Sequence, residues 1–215
     1  MQRGHFDPKD ISNDFSEDLY ATFLEMLDGQ KRYFLKKDIA QFDRYKYALD
    51  DEFRALQTNF FDFVYTRYLE RRNETKLFYI EILEKPFDFN KKEEINVDYE
   101  NQQYPGTLRL KVEKWRKQLK LSTLNILHNK QQEEEKLASK DESYVPKTFE
   151  VLEKEAREIT RENMENYFSL MEDVREEDWF GSYLNAFVTQ FDPHSVYFAP
   201  VDKDRFDASM SGKYE

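Results

Sequence analysis

Large apolar side chains fall three and four positions apart over most of this chain, the spacing of one face of an α-helix. Leu19, Tyr20, Phe23, Leu24 and Leu27 form the first such stripe. Ser16 is placed to cap that helix, with Glu17 and Asp18 at the positive end of its dipole. Asp28-Gly29 is expected to end it, with Gly29 as the left-handed residue past its last turn. An apolar connector, Tyr33-Phe34-Leu35, leads to Asp38 as a second cap before Ile39, Phe42, Tyr45 and Leu49. From 51 to 84 there is neither Gly nor Pro. Phe53, Leu56, Phe60, Val64 and Tyr68 continue the stripe, a polar patch at 70–74 interrupts it, and Leu77, Ile80 and Leu83 resume it. A run this long is expected to break or bend, near Asn59. Lys85-Pro86 stops it, because proline disfavours helix in the residue before it.

Residues 86–105 lose the helical spacing. Phe87, Phe89, Ile95, Val97 and Tyr99 alternate with charge there, as expected of an irregular loop packed over helices. Pro105 suits the first turn of the next helix, whose core face is predicted as Leu108, Val112, Trp115 and Leu119. Lys111, Lys114, Lys117 and Lys120 then fall on the opposite face, which could dock an acidic partner but is read first as a solvated surface. Residues 131–145 are polar enough for a link or a solvated helix, and the helix is the preferred reading. Past Pro146, Leu152, Ala156, Ile159, Asn163, Asn166 and Leu170 keep a heptad-like spacing of four and three. Phe180, Tyr183, Leu184, Phe187, Val188 and Phe191 line a last amphipathic helix, which breaks at Asp192-Pro193. Asp202 is placed to cap a short final helix holding Phe206 and Met210, closed by Gly212, and residues 1–11 are expected to fray. The pattern predicts an all-α chain, a multi-helix array forming a single domain over 1–215.

Composition supports that picture. With 5 Gly and 6 Pro in 215 residues, the chain lacks the turn glycines of hairpin sheets and dinucleotide-binding folds. A hydrophobic fraction of 39% is low, but 19 Phe, 14 Tyr and 2 Trp make up for scarce aliphatics. Each buried ring removes roughly 150–250 Å² from water, so disorder is not expected despite 36% charged residues. A net charge of −11 argues against a nucleic-acid partner and against anionic membranes. No apolar run reaches the roughly 20 residues of a transmembrane segment. The absence of cysteine excludes disulfides and thiolate metal sites. MQRGHFDPKD has no signal-peptide apolar core, so Met1 is read as the start of an already processed protein.

The inventory for chemistry is thin. His5, His128 and His194 are scattered, and no two histidines lie four apart, so no metal is expected. No two glycines lie within ten residues of each other, which excludes a P-loop or GxGxxG cradle and leaves no cofactor expected. Asp192, His194 and Ser195 suggest a hydrolytic relay, but such triads converge from separate segments and these residues share one turn. The plainer expectation is that Asp192-Pro193 makes a turn and His194 bonds nearby backbone. The aromatic stripes read as core, the 44 acidic residues as solvated helix faces, and no catalytic residue is assigned.

Three segments nevertheless form a recognisable set. Asn185-Ala186-Phe187 is followed by Asp192, Pro193, His194, Ser195, Tyr197 and Pro200, then by Phe206 and Met210. Leu27-Asp28-Gly29-Gln30-Lys31 runs on to Tyr33, Phe34 and Asp38-Ile39, and Trp115-Arg116-Lys117-Gln118-Leu119-Lys120 precedes Leu124. Taken in their order along the chain, they resemble the N-terminal helical region of the tail-specific proteases, which process proteins at their C-termini. The resemblance implies a bacterial envelope or periplasmic protein in which this region precedes a PDZ domain and a protease domain with a Ser/Lys dyad. No catalytic residue carries over to a position here, so the chain by itself is expected to be inactive. The implied role is architectural: packing on its own PDZ and protease domains, shaping the entry of protein substrates, or docking an adaptor. Residues 211–215 would begin the junction, and the turn from Asp192 to Tyr197 would touch the PDZ domain. The alternative is a free-standing helical interaction module with no protease attached.

Overall fold

Among the described residues seven α-helices make up most of the regular structure: α1 (Asn13–Asp28), α2 (Lys36–Phe42), α3 (Leu49–Arg54), α4 (Asn59–Glu84), α5 (Leu108–Lys140), α6 (Phe149–Asp173) and α7 (Glu176–Thr189). A 3-10 turn at Asp43–Tyr45 lies between α2 and α3. The computed structural model describes residues 10–199 with Lys203, Phe206, Asp207 and Met210, and no strand occurs among these. The all-α expectation holds. The expectations placed on residues 1–9, on Pro200, Asp202 and Gly212, and on a junction at 211–215 lie outside the described residues. The chain forms two compact units. The first draws on residues up to Leu27, on 40–66 and on residues from 174 onward; the second comprises 28–39 and 67–173.

The core of the first unit is aromatic. Phe15, Leu19, Tyr20, Phe23 and Leu24 of α1 are buried, as are Phe60, Phe61 and Val64 of α4 and Tyr183, Ala186 and Val188 of α7. Phe23 meets Tyr183 edge-on with centroids 4.8 Å apart, and Phe53 stacks on Phe187 at 4.0 Å. Such pairs add about 0.5–1.5 kcal/mol each beyond their burial, which is how a chain short of aliphatics closes a core. Two expectations are corrected here. Helix α1 starts at Asn13, so Ser16 lies inside it, fully buried. Its hydroxyl donates to Asp50 Oδ1 and accepts from the Asp50 N–H, both at 2.9 Å. Ser16 therefore satisfies an orphan donor in the first turn of α3, not of its own helix. Leu56 is 92% exposed with φ 54, in the break between α3 and α4, rather than in the stripe. The break falls where it was expected, and Glu52 reaches across it to accept the Phe60 N–H at 3.1 Å.

In the second unit α5 packs against α6. The buried positions of α5 step by four, through Lys111, Trp115, Leu119, Thr123 and Leu127. Those of α6 do the same through Leu152, Ala156 and Thr160, and Phe168 is buried further along. Leu127, Leu152 and Ala156 form one apolar cluster, and the hydroxyls of Thr123 and Thr160 meet at 2.9 Å. This stepping displaces several predicted core positions. Leu108 and Leu170 are exposed, as are Asn163 and Asn166, while Val112 and Ile159 are half-buried. In α4 the buried apolar residues after the polar patch are Phe78, Tyr79 and Leu83, and Leu77 and Ile80 face solvent. Pro105 lies before α5, not in it: Thr107 caps the helix by accepting the Leu110 N–H, and the Pro105 carbonyl accepts from the Lys36 N–H at 2.9 Å. The polar stretch after 131 continues α5 to Lys140, a solvated helix as preferred. No helix forms over 86–105.

Candidate functional site

The two earlier signature segments meet in the second unit. Asp28 is the last residue of α1, and its carboxylate turns back under the following loop. Oδ1 accepts the Arg32 N–H at 2.7 Å, and Oδ2 accepts those of Tyr33 and Phe34 at 2.9 and 2.8 Å. Lys31, at φ 50, supplies the left-handed step that lets three successive amides face one side chain. Burial pushes the Asp28 carboxyl up to about 6, although the three N–H groups and Arg32 pull the other way. Trp115, fully buried on α5, donates its indole N–H to the Arg32 carbonyl at 2.9 Å. The Arg32 guanidinium lies 4.6 Å from the Trp115 ring and 5.4 Å from that of Tyr167, whose hydroxyl meets that of Tyr33 at 2.8 Å. Lys114 donates to the carbonyls of Gln30 and Lys31. Asp28 thus shapes the loop from inside, and the tryptophan helix grips its carbonyls from outside.

Asp38 sits one step further along. It is the third residue of α2 and accepts the Leu35 N–H at 2.8 Å, which corrects its reading as the residue before the helix. Arg71 of α4 donates Nε and Nη2 to its two oxygens at 2.7 and 2.8 Å, and Arg67 adds a third donor at 2.9 Å. Burial raises the Asp38 carboxyl, but the Arg71 and Leu35 hydrogen bonds together with the charges of Arg71 and Arg67 outweigh it, and the pKa falls below its ordinary value. Next to this pair Lys111 is fully buried, donating to the Arg71 carbonyl at 3.0 Å and to Glu74 at 3.4 Å. Burial pushes Lys111 down to about 8. Sequence reasoning missed Arg71, Arg72 and Lys111 as buried residues, reading the first two only as part of a polar patch and the third as lying on a solvated face. The available signal was their position, since each falls in register with buried aromatic neighbours.

The lysines of α5 fasten the irregular loop. Lys117 donates to the Glu94 carbonyl at 2.9 Å, and Lys120 to the Asp88 carbonyl at 2.6 Å. Arg116 and Lys120 both pair with Glu93, and together, Arg116 foremost, they hold its carboxyl well below the usual range. The basic face is a clamp for residues 86–105, not the solvated surface that was predicted.

The third signature segment folds in the first unit. Asn185 on α7 accepts the Tyr197 N–H through Oδ1 at 2.7 Å, which draws the chain back along the helix. Asp192 Oδ1 accepts the His194 N–H and its carbonyl accepts the Ser195 N–H, both at 2.9 Å. The turn is as expected, but it is the backbone of His194 that bonds, to a side chain. Pro193 and His194 are exposed, and the rings of Phe198 and Phe206 stack at 5.3 Å. Asp192 spends Oδ1 on a backbone amide, and among the described residues no hydrogen bond links its carboxylate to the His194 ring or that ring to Ser195, as a relay requires. Asn185→Ala leaves the Tyr197 amide without its acceptor and is expected to cost about 1 kcal/mol. Faster hydrogen exchange at that amide is the measurement that checks it.

Among the described residues no group of three or more His, Cys, Asp or Glu side chains could hold a metal ion. No helix among them is long and apolar enough to cross a membrane. The family model described as "Tail specific protease N-terminal domain" matches residues 1–201. The chain is also similar to the tail-specific protease of Haemophilus influenzae, 24% identical over 212 residues. That alignment covers 98% of this chain and 28% of the relative's length.

Proposed function

The chain belongs to the family of tail-specific protease N-terminal domains, and from that premise we propose that it serves as the non-catalytic helical domain of a C-terminal-processing serine protease. One observation carries this reading. Asp28, Trp115, Asn185 and Asp192 each direct polar side-chain atoms at the chain's own backbone, which supports a part for these four in holding geometry. On this reading the protease acts in the bacterial periplasm on protein substrates, through a Ser/Lys dyad in a separate domain. The present residues work as one N-terminal domain that packs on the PDZ and protease domains, shapes substrate access or docks an adaptor.

Incubated with an unfolded protein substrate, the 215-residue chain is expected to leave it intact. Hydrolysis that disappears in Ser195→Ala would overturn the proposal. The turn from Asp192 to Tyr197 is further proposed to touch the PDZ domain. In the full-length protease, His194→Ala combined with Tyr197→Ala should then alter proteolysis or domain stability, and a double variant unchanged in both would sink the contact.

A further inference from the structure

A groove of about 260 Å³ lies between α5 and the irregular loop. Its apolar floor is Phe89 and Ile95 from the loop with Leu121 and Leu124 from α5. The two leucines are 38% and 42% exposed, on a helix whose buried face lies elsewhere. The volume is below the roughly 300–1,000 Å³ of small-molecule and cofactor pockets, and suits one or two apolar side chains of a partner.

Charge distinguishes this groove from the rest of the molecule. In a chain of net charge −11, its walls carry four lysines against two glutamates. Glu93 is already shared by Arg116, Lys120 and Lys91. Lys117 bonds only the Glu94 carbonyl, and Lys92 makes no ion pair among the described residues. An apolar floor is therefore flanked by four lysines, of which Lys91 and Lys120 share Glu93, while Lys92 and Lys117 have no carboxylate within ion-pair distance among the described residues. Such a surface selects for acidic, apolar-anchored ligands and repels basic ones, and mainly sets specificity and encounter rate.

We propose that this groove docks an internal acidic segment of a partner protein, with one or two apolar side chains on the Leu121–Leu124 floor and a carboxylate beside Lys92 and Lys117. The inference needs only this chain and stands whether or not the domain acts within a protease. The test is an NMR titration of the labelled 215-residue chain, its helical content checked by circular dichroism. The probe is a ten-residue peptide alternating leucine and glutamate, acetylated and amidated at its ends. The expected result is shift changes centred on Phe89, Ile95, Leu121 and Leu124. Lys92→Glu and Lys117→Glu should each weaken binding about five- to tenfold. Lys117→Glu also removes a bond to the loop, so Lys92→Glu, which removes none among the described residues, is the deciding variant. Equal binding of a peptide with lysine in place of glutamate, shifts centred elsewhere, or full affinity in Lys92→Glu would each overturn the proposal. So would binding confined to the free-acid form of the peptide, since the ligand would then be a chain terminus.

Discussion

Asp38→Ala is expected to lower folding stability by about 3–5 kcal/mol, the cost of breaking a buried ion pair from one side. Asp38 is fully buried and the Arg71 side chain is 8% exposed, so solvent screens the pair little. Removing the carboxylate strands a guanidinium that keeps only Glu74 as an anionic partner, and it uncaps the Leu35 N–H at the start of α2. Chemical denaturation of the variant checks the magnitude. Asp38→Asn separates the two losses, because its amide oxygen can still accept the Leu35 N–H. The pH dependence has a definite sign. The folded pKa of Asp38 is depressed, so its contribution is complete above the ordinary carboxylate range and lost as pH falls through the folded value. The gap between the native chain and Asp38→Asn should therefore narrow towards acid pH. A gap that does not change with pH would refute the ion-pair account.

Asp28 is expected to behave in the opposite way. Its pKa is raised from 3.8 to about 6, so folding takes up a proton between those values. As pH is lowered from 7 towards 4, this group makes the folded state more stable, by on the order of 3 kcal/mol when about two pK units are converted. Asp28→Asn cannot titrate and should lack that rise. Asp28→Ala does more damage, since three buried or half-buried amides lose their acceptor at about 1–3 kcal/mol each, less than additively. A loss of at least about 3 kcal/mol in denaturant unfolding is expected. The titration itself is read from the carboxyl carbon of Asp28 by NMR. A midpoint at or below 3.8 would mean that the three amides outweigh burial.

The helices were legible because their apolar residues recur with helical spacing, and the loop because its apolar residues alternate with charge. The aromatic core of the first unit follows directly from Phe23, Tyr183 and their neighbours. What pattern could not show is which polar residues lie inside. Asp38, Arg71 and Lys111 are charged in the sequence and buried in the fold, because each is neutralised or hydrogen-bonded by a group far away in the chain. Spacing also blurs along a helix. One turn of α6 reads equally well as 159–163–166 or as 156–160, and only packing against α5 selects the second. For the signature segments, likeness supplied the family, and the hydrogen bonds of Asp28, Trp115 and Asn185 supply their physical use.

Several of the cations that tie the second unit together reach for main-chain carbonyls. Lys114, Lys117 and Lys120 do so from α5, Arg72 reaches Met171, and Arg157 and Arg161 reach Leu83. A carbonyl is the same at every residue, so these attachments do not depend on which side chain the receiving residue carries. The two ends of each bond are thus under unequal restraint. The helix must keep a lysine or arginine at its position, while the loop it grips, apart from Glu93 with its side-chain pairs, is free to change its letters so long as its path is kept.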